Sequence, residues 1–93
     1  MPLSSLTGVC LDVDGRIYAA VNPDRAVKVI EDGRVVECLA VPGDDLGVLT
    51  NCCFGGPDGR TLFVNDALHG RVLAWESMPS PGLPLHPWPV PPA

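Results

Sequence analysis

A chain of 93 residues with 46% hydrophobic content can close one small core, and a unit of this size buries little surface and is only marginally stable alone. Its formal charge of -5 comes from scattered Asp and Glu opposed by six Lys or Arg, which argues against a nucleic-acid partner or an anionic-membrane surface. No stretch approaches the roughly 20 apolar residues that span a bilayer, and Met1-Pro2-Leu3-Ser4-Ser5 lacks the basic and apolar regions of a secretion signal, so a cytoplasmic location is expected.

After a lead-in at 1–6, residues 7–13 and 16–21 are short β-prone runs. Asp14-Gly15 separates them with the two-residue spacing of a type I′ hairpin turn. Asn22-Pro23-Asp24 is a second turn signal, and 25–30 follows with apolar residues at 27 and 29, the period-2 alternation of a half-buried strand. Asp32-Gly33 repeats the two-residue turn. Residues 34–41 then form a fourth strand, with Val36, Cys38 and Ala40 on one face and Val35, Glu37 and Leu39 on the other. Residues 7–41 therefore read as one four-stranded antiparallel blade.

Pro42-Gly43-Asp44-Asp45-Leu46-Gly47 punctuates the chain as a loop at 42–47, where two acids make burial costly. A second unit spans 48–76. Strands at 48–54 and 61–65 flank the turn Gly55-Gly56-Pro57-Asp58-Gly59, and Ala67-Leu68-His69-Gly70 leads into a third strand at 71–76, with Leu73 and Trp75 facing one way and Val72 and Ala74 the other. From Pro79 onward seven of fifteen residues are Pro, which removes backbone donors and fixes φ, so the tail at 77–93 is expected to be extended or polyproline-like. Trp75 and Trp88 are its candidate apolar anchors. Pro81-x-x-Pro84 and Pro84-x-x-Pro87 lack the flanking Lys or Arg of a groove-binding motif.

The two units repeat. Val9-Cys10-Leu11-Asp12-Val13-Asp14-Gly15-Arg16-Ile17-Tyr18-Ala19 aligns with Asn51 to Phe63 once two residues are inserted at Gly55-Gly56, which places Arg16 and Arg60 44 residues apart. Asp24-Arg25-Ala26-Val27-Lys28-Val29 aligns with Gly70-Arg71-Val72-Leu73-Ala74-Trp75 at a separation of 46. A period in the mid-forties with four strands per unit is that of a β-propeller blade. The fold class is thus all-β, two antiparallel blades of an incomplete ring. Two blades cannot close a ring, so self-association through unpaired blade edges is expected.

Several residues are candidates for chemistry. The cysteines at 10, 38, 52 and 53 form no C-x-x-C pair, and neighbours in a strand point to opposite faces, so Cys52 and Cys53 are expected to be buried, reduced thiols like the other two, not joint metal ligands. Asp12-x-Asp14-Gly15 begins like a calcium loop, but Ile17 and Pro23 stand at the sixth and twelfth positions, where Gly and Glu are needed. Asp14, Asp32 and Asp58 each precede Gly-Arg and read as turn formers. Asp66, at a strand end, is a candidate for the mouth of a site. His69 and His86 have no paired acid or nucleophile at a readable spacing and are expected to be exposed. Asn51 begins an inner strand, where its amide either faces a channel to bind substrate or metal, or bonds its own backbone.

The stretch Thr50-Asn51-Cys52-Cys53-Phe54-Gly55-Gly56-Pro57-Asp58-Gly59-Arg60-Thr61-Leu62-Phe63-Val64, with Gly8-Val9-Cys10-Leu11-Asp12 and the ending Pro81-Gly82-Leu83-Pro84-Leu85, resembles the C-terminal part of the SMP-30/gluconolactonase/LRE-like family. That resemblance implies a six-bladed β-propeller that hydrolyses lactones with a divalent metal, calcium or zinc, in its central channel. It also implies metal ligands from a Glu near the family's N-terminus, Asn residues of its middle blades, and an Asp directly before the strand that corresponds here to Val9–Val13. Of these, only the last falls in this chain, where Leu6-Thr7-Gly8 puts Thr7 at the position of the Asp. A hydroxyl supplies no permanent charge to a hard cation and takes no proton readily near neutral pH. The expectation is therefore a fragment of a lactone hydrolase with no catalytic residue of its own, inactive alone, with Asn51 as its one candidate substrate or metal contact. A non-catalytic propeller-type binding module, or half of a complemented assembly, is the alternative.

Overall fold

The alternating apolar residues and Gly-bearing turns fold, in a computed structural model, into seven antiparallel strands among the described residues. The structure describes residues 5–22, 25–41 and 48–84. The strands are β1 (Ser5–Leu11), β2 (Ile17–Asn22), β3 (Ala26–Glu31), β4 (Arg34–Ala40), β5 (Leu49–Gly55), β6 (Thr61–Asp66) and β7 (Arg71–Trp75). They make one four-stranded sheet in the order β1-β2-β3-β4 and one three-stranded sheet in the order β5-β6-β7, with no helix among the described residues. The expected loop at 42–47, most of the lead-in, and His86 and Trp88 of the tail lie outside the described residues.

Turn chemistry separates the hairpins. Asp32 and Gly33 both have positive φ, 53° and 78°, as the two-residue type I′ turn between β3 and β4 requires. The turn between β1 and β2 differs from the expected type I′. Only Gly15 is left-handed there, at φ 85°, and Gly15 N bonds Asp12 O at 3.1 Å while Asp12 N bonds Arg16 O at 3.1 Å. This is a wider loop, a type I turn closed by a left-handed Gly. Its cause is the Asp12 carboxylate, whose Oδ1 accepts the amides of Asp14 at 2.9 Å and Arg16 at 3.0 Å and so folds the chain around itself.

The core lies between the sheets. In β2 and β3, Tyr18, Ala20, Val27 and Val29 pack with Leu39 and Val41 against Leu49, Leu62 and Val64, and the half-buried Phe54, Leu73, Trp75 and Met78 close the cluster. Tyr18 and Phe54 meet edge to face, ring centroids 4.9 Å apart at 88°, a favoured aromatic geometry. Leu73 and Trp75 face this core and Val72 and Ala74 are exposed, as the alternation predicts. Val35 corrects the expected faces of β4. Glu37 pairs with Val29 and Val35 with Ile30, so a bulge at Val36 puts Val35 on the opposite face from Glu37 and Leu39. That far face also carries Val9, Leu11 and Ile17, and all four are exposed.

Two devices tie the sheets beyond the core. Asn22 brackets the backbone of Leu49, Nδ2 donating to its carbonyl at 2.8 Å and Oδ1 accepting its amide at 3.1 Å. The segment after β7 forms the second as a strap across both hairpin turns. Met78 N bonds Arg60 O at 2.9 Å, Gly82 N bonds Gly59 O at 3.0 Å, Val13 N bonds Pro81 O at 2.9 Å, and Leu83 N bonds Leu11 O at 3.0 Å. The repeat-related arginines both grip it, Arg16 through Ser80 Oγ at 3.1 Å and Arg60 through the carbonyl of Pro79 at 2.6 Å. Pro suits such a segment, because the strap uses Pro81's carbonyl and asks for no amide there.

Gly82 is where the strap approaches most closely, since a Cβ added there would overlap the Cβ of Phe54. Gly82→Ala is expected to cost about 1–3 kcal/mol through overpacking and lower the melting midpoint by at least about 4 °C, read by circular dichroism. An unchanged midpoint would show that the strap is not seated on Phe54.

Candidate functional site

The candidate site is the seam between the inner strands β1 and β5. A Cβ at Gly8 would stand 2.7 Å from the carbonyl oxygen of Thr50 and 2.9 Å from Cα of Asn51, so only glycine allows this approach of the two backbones. Thr7 precedes Gly8 in β1, and Asn51 is exposed in β5 beside it. The close approach is thus between Gly8 and the Thr50–Asn51 backbone, and Thr7 and Asn51 are both uncharged residue types.

The buried carboxylates are elsewhere and already committed. Asp12, fully buried at the end of β1, accepts from Arg16 Nη1 at 3.0 Å and from the Tyr18 hydroxyl at 2.9 Å in addition to its two turn amides. Burial pushes its carboxyl up, but the donors Arg16, Tyr18 and Asp14 together outweigh that and hold it below the usual range. The Tyr18 hydroxyl moves the other way, pushed up to about 12 by burial and by the Asp12 carboxylate it serves. Arg16 also reaches Glu31 at 2.8 Å, and Ser80 Oγ donates to Asp14 Oδ2. With all its lone pairs directed at protein donors, Asp12 closes the turn and does not start a calcium loop.

Asp66 is the second such anchor. It is buried beneath a shallow cleft between Thr50 and Arg71, and its carboxylate takes His69 Nδ1 at 2.8 Å and Arg71 Nε at 3.1 Å. His69, with Arg71 and the amides of Val48 and His69, brings the carboxyl down to about 2 against the opposing effect of burial. The pairing corrects the expectation that His69 lacks an acid: a turn at 67–70 brings the two side chains together across three residues. Asp58 is a turn former as expected, its Oδ1 accepting Arg60 N at 3.1 Å. Among the described residues, no three His, Cys, Asp or Glu side chains converge as a metal site.

The cysteines are free, but their burial differs from expectation. Cys38 and Cys53 are exposed, and Cys10 and Cys52 are half-buried. Cys52 and Cys53 do point to opposite faces. Cys52 faces Cys10 across the seam, Sγ to Sγ 3.3 Å, at the wall of a cleft of about 310 Å3 that Phe54, Gly82 and Leu83 also line. The hydrogen bond to Cys52, with burial, pushes the Cys10 thiol well up. A signal for this pair exists in the sequence, because Cys10 and Cys52 occupy aligned positions of the repeat and adjacent blades place such positions side by side.

A family profile, the SMP-30/Gluconolactonase/LRE-like region, matches residues 4–67. Among curated proteins the chain is similar to regucalcin of Xenopus laevis, 32% identical over 71 residues, which is 74% of this chain and 23% of that protein. It is likewise similar to regucalcin of Gallus gallus, 31% identical over 72 residues covering 75% of this chain and 23% of the relative, and of Bos taurus, 34% over 65 residues covering 68% and 21%. The chain spans under a quarter of the length of these relatives.

Asp66 gives the fold an acid-side dependence. An unfolded Asp titrates near 3.9, and the folded carboxyl at about 2, so the stabilisation is fully present above about pH 4 and is lost as pH falls through about 2. Urea melts of the wild type and Asp66→Asn are expected to show a stability gap that is constant from pH 7 to pH 5 and shrinks toward pH 2. A gap that does not change over that range contradicts the assignment of the anchor.

Proposed function

This chain belongs to the SMP-30/gluconolactonase/LRE-like family, and from that premise we propose that it is a two-blade, C-terminal part of a metal-dependent lactone hydrolase, inactive on its own. The observation that carries the reading is the seam at Gly8. It brings β1 to β5 at Thr50 and Asn51, next in the chain to Thr7, the position that the family resemblance ties to the metal.

A calcium ion takes six to eight oxygen ligands, several of them carboxylates, and zinc takes four from Cys, His or carboxylate. A hydroxyl and an amide do not meet either requirement. The nearby carboxylates do not make up the difference, since Asp12 and Asp66 are buried and hydrogen-bonded to Arg16, Tyr18, His69 and Arg71. Thr7, Asn51 and these two carboxylates therefore do not fit a divalent metal by themselves. In a complete site such a metal would polarise the lactone carbonyl and activate water. The part proposed for this chain is to supply one wall of the channel, with Asn51 as its substrate-facing polar group.

Supplying the purified chain with calcium or zinc and an aldonolactone tests the proposal through acid release in a pH-stat. The expected rate is that of spontaneous lactone hydrolysis. Turnover above that rate, abolished by a chelator, would overturn the inactivity.

A further inference from the structure

We propose that Cys10 and Cys52 form a site of reversible oxidation, at which exchange with a small-molecule disulfide makes an inter-blade Cys10–Cys52 bond. The geometry is local and already assembled. The two sulfurs lie 3.3 Å apart on strands of different sheets, and a disulfide needs about 2.05 Å, so they must approach by roughly 1.3 Å, within reach of small side-chain adjustments. Cys52 Sγ also contacts the Tyr18 carbonyl oxygen at 3.4 Å, so Cys10, Cys52 and that carbonyl form a short chain of weak hydrogen bonds. Of the remaining cysteines, Cys53 also lines the cleft at this seam, and Cys38 does not. Cys53 faces away from Cys52 opposite Phe63, and Cys38 sits in the outermost strand of the first sheet opposite Lys28.

Access comes through the cleft. Its volume of about 310 Å3 admits the reactive end of a small disulfide, and its walls are Val9, Leu11, Phe54 and Leu83 around the two thiols. Cys52, whose thiol is held down by its hydrogen bond with Cys10 against the opposing effect of burial, is the thiolate more readily formed. It attacks one sulfur of R–S–S–R, forming a Cys52–S–S–R bond and releasing R–S⁻, which takes up the proton that Cys52 lost. Cys10 then attacks Cys52 Sγ and expels the second R–S⁻, which takes the proton of Cys10. Two protein thiols are oxidised and one disulfide is reduced to two thiols.

The product would cross-link residues 42 apart in sequence and tie β1 to β5 at the seam. Closing a loop of that length restricts the unfolded chain strongly, so the oxidised protein should melt about 10 °C or more above the reduced form.

The test treats the folded chain with glutathione disulfide, blocks remaining thiols by alkylation, and maps disulfides by mass spectrometry without reduction, with a urea-unfolded sample beside it. The expected result is a Cys10–Cys52 peptide as the dominant cross-link in the folded sample only, with Cys38 and Cys53 alkylated or singly glutathionylated. Cys10→Ser should remove the cross-link and leave Cys52 as a mixed disulfide with glutathione, whereas Cys53→Ser should retain it. Cys10 and Cys52 both remaining alkylatable, cross-links spread among the four cysteines as in the unfolded sample, or a cross-linked form that melts no higher than the reduced one would each overturn the proposal.

Discussion

The structure depends most on one buried carboxylate. Asp12 is removed from water entirely, and an isolated buried charge is costly enough that it must be surrounded by donors. Meeting that need shapes the chain around it. The amides of Asp14 and Arg16 turn inward to Oδ1, which widens the β1–β2 turn, and Oδ2 takes Arg16 and Tyr18. Arg16, held there, reaches Glu31 of the same sheet and Ser80 of the strap, and Tyr18, fixed by its hydroxyl, presents its ring to Phe54 of the other sheet. A single side chain therefore sets a turn, one strap contact and the central aromatic contact between blades.

What this scaffold positions is a seam with little chemistry of its own. Gly8 lets the inner strands touch at Thr50 and Asn51, and farther along the same strands Cys10 meets Cys52. The carboxylates that the region does possess are spent on holding turns. The matched stretch covers under a quarter of the length of the similar regucalcins.

Much of the fold was legible because its causes are local. Alternation at Val27 and Val29, or at Leu73 and Trp75, places strands and their inward faces, and Asp32-Gly33 determines its own hairpin through positive φ. The family membership was legible in the Asn51–Val64 stretch and its repeat. What was not legible depends on contacts distant in sequence. Nothing local says that Asp12 is buried, so the same Asp-Gly pair that makes a type I′ turn at 32–33 is overruled at 14–15 by a carboxylate pulling amides inward. The Val36 bulge and the strap are likewise products of tertiary packing, whereas the His69–Asp66 pair is local but depends on the shape of the turn at 67–70. The Cys10–Cys52 approach lay in the repeat alignment but needed the two sheets to be stacked before the aligned positions became neighbours.

The central claim is that both blades form one cooperative unit held through Asp12. It is tested most directly by amide hydrogen exchange on Asp12→Asn, whose amide nitrogen would face Arg16 and Tyr18 in place of a carboxylate oxygen. The account predicts a loss of about 3 kcal/mol, and hence a fall of roughly a hundredfold in protection that is equal in β2 and in β6. Protection lost in β2 while β6 keeps its own would show two independently folding sheets and contradict the account.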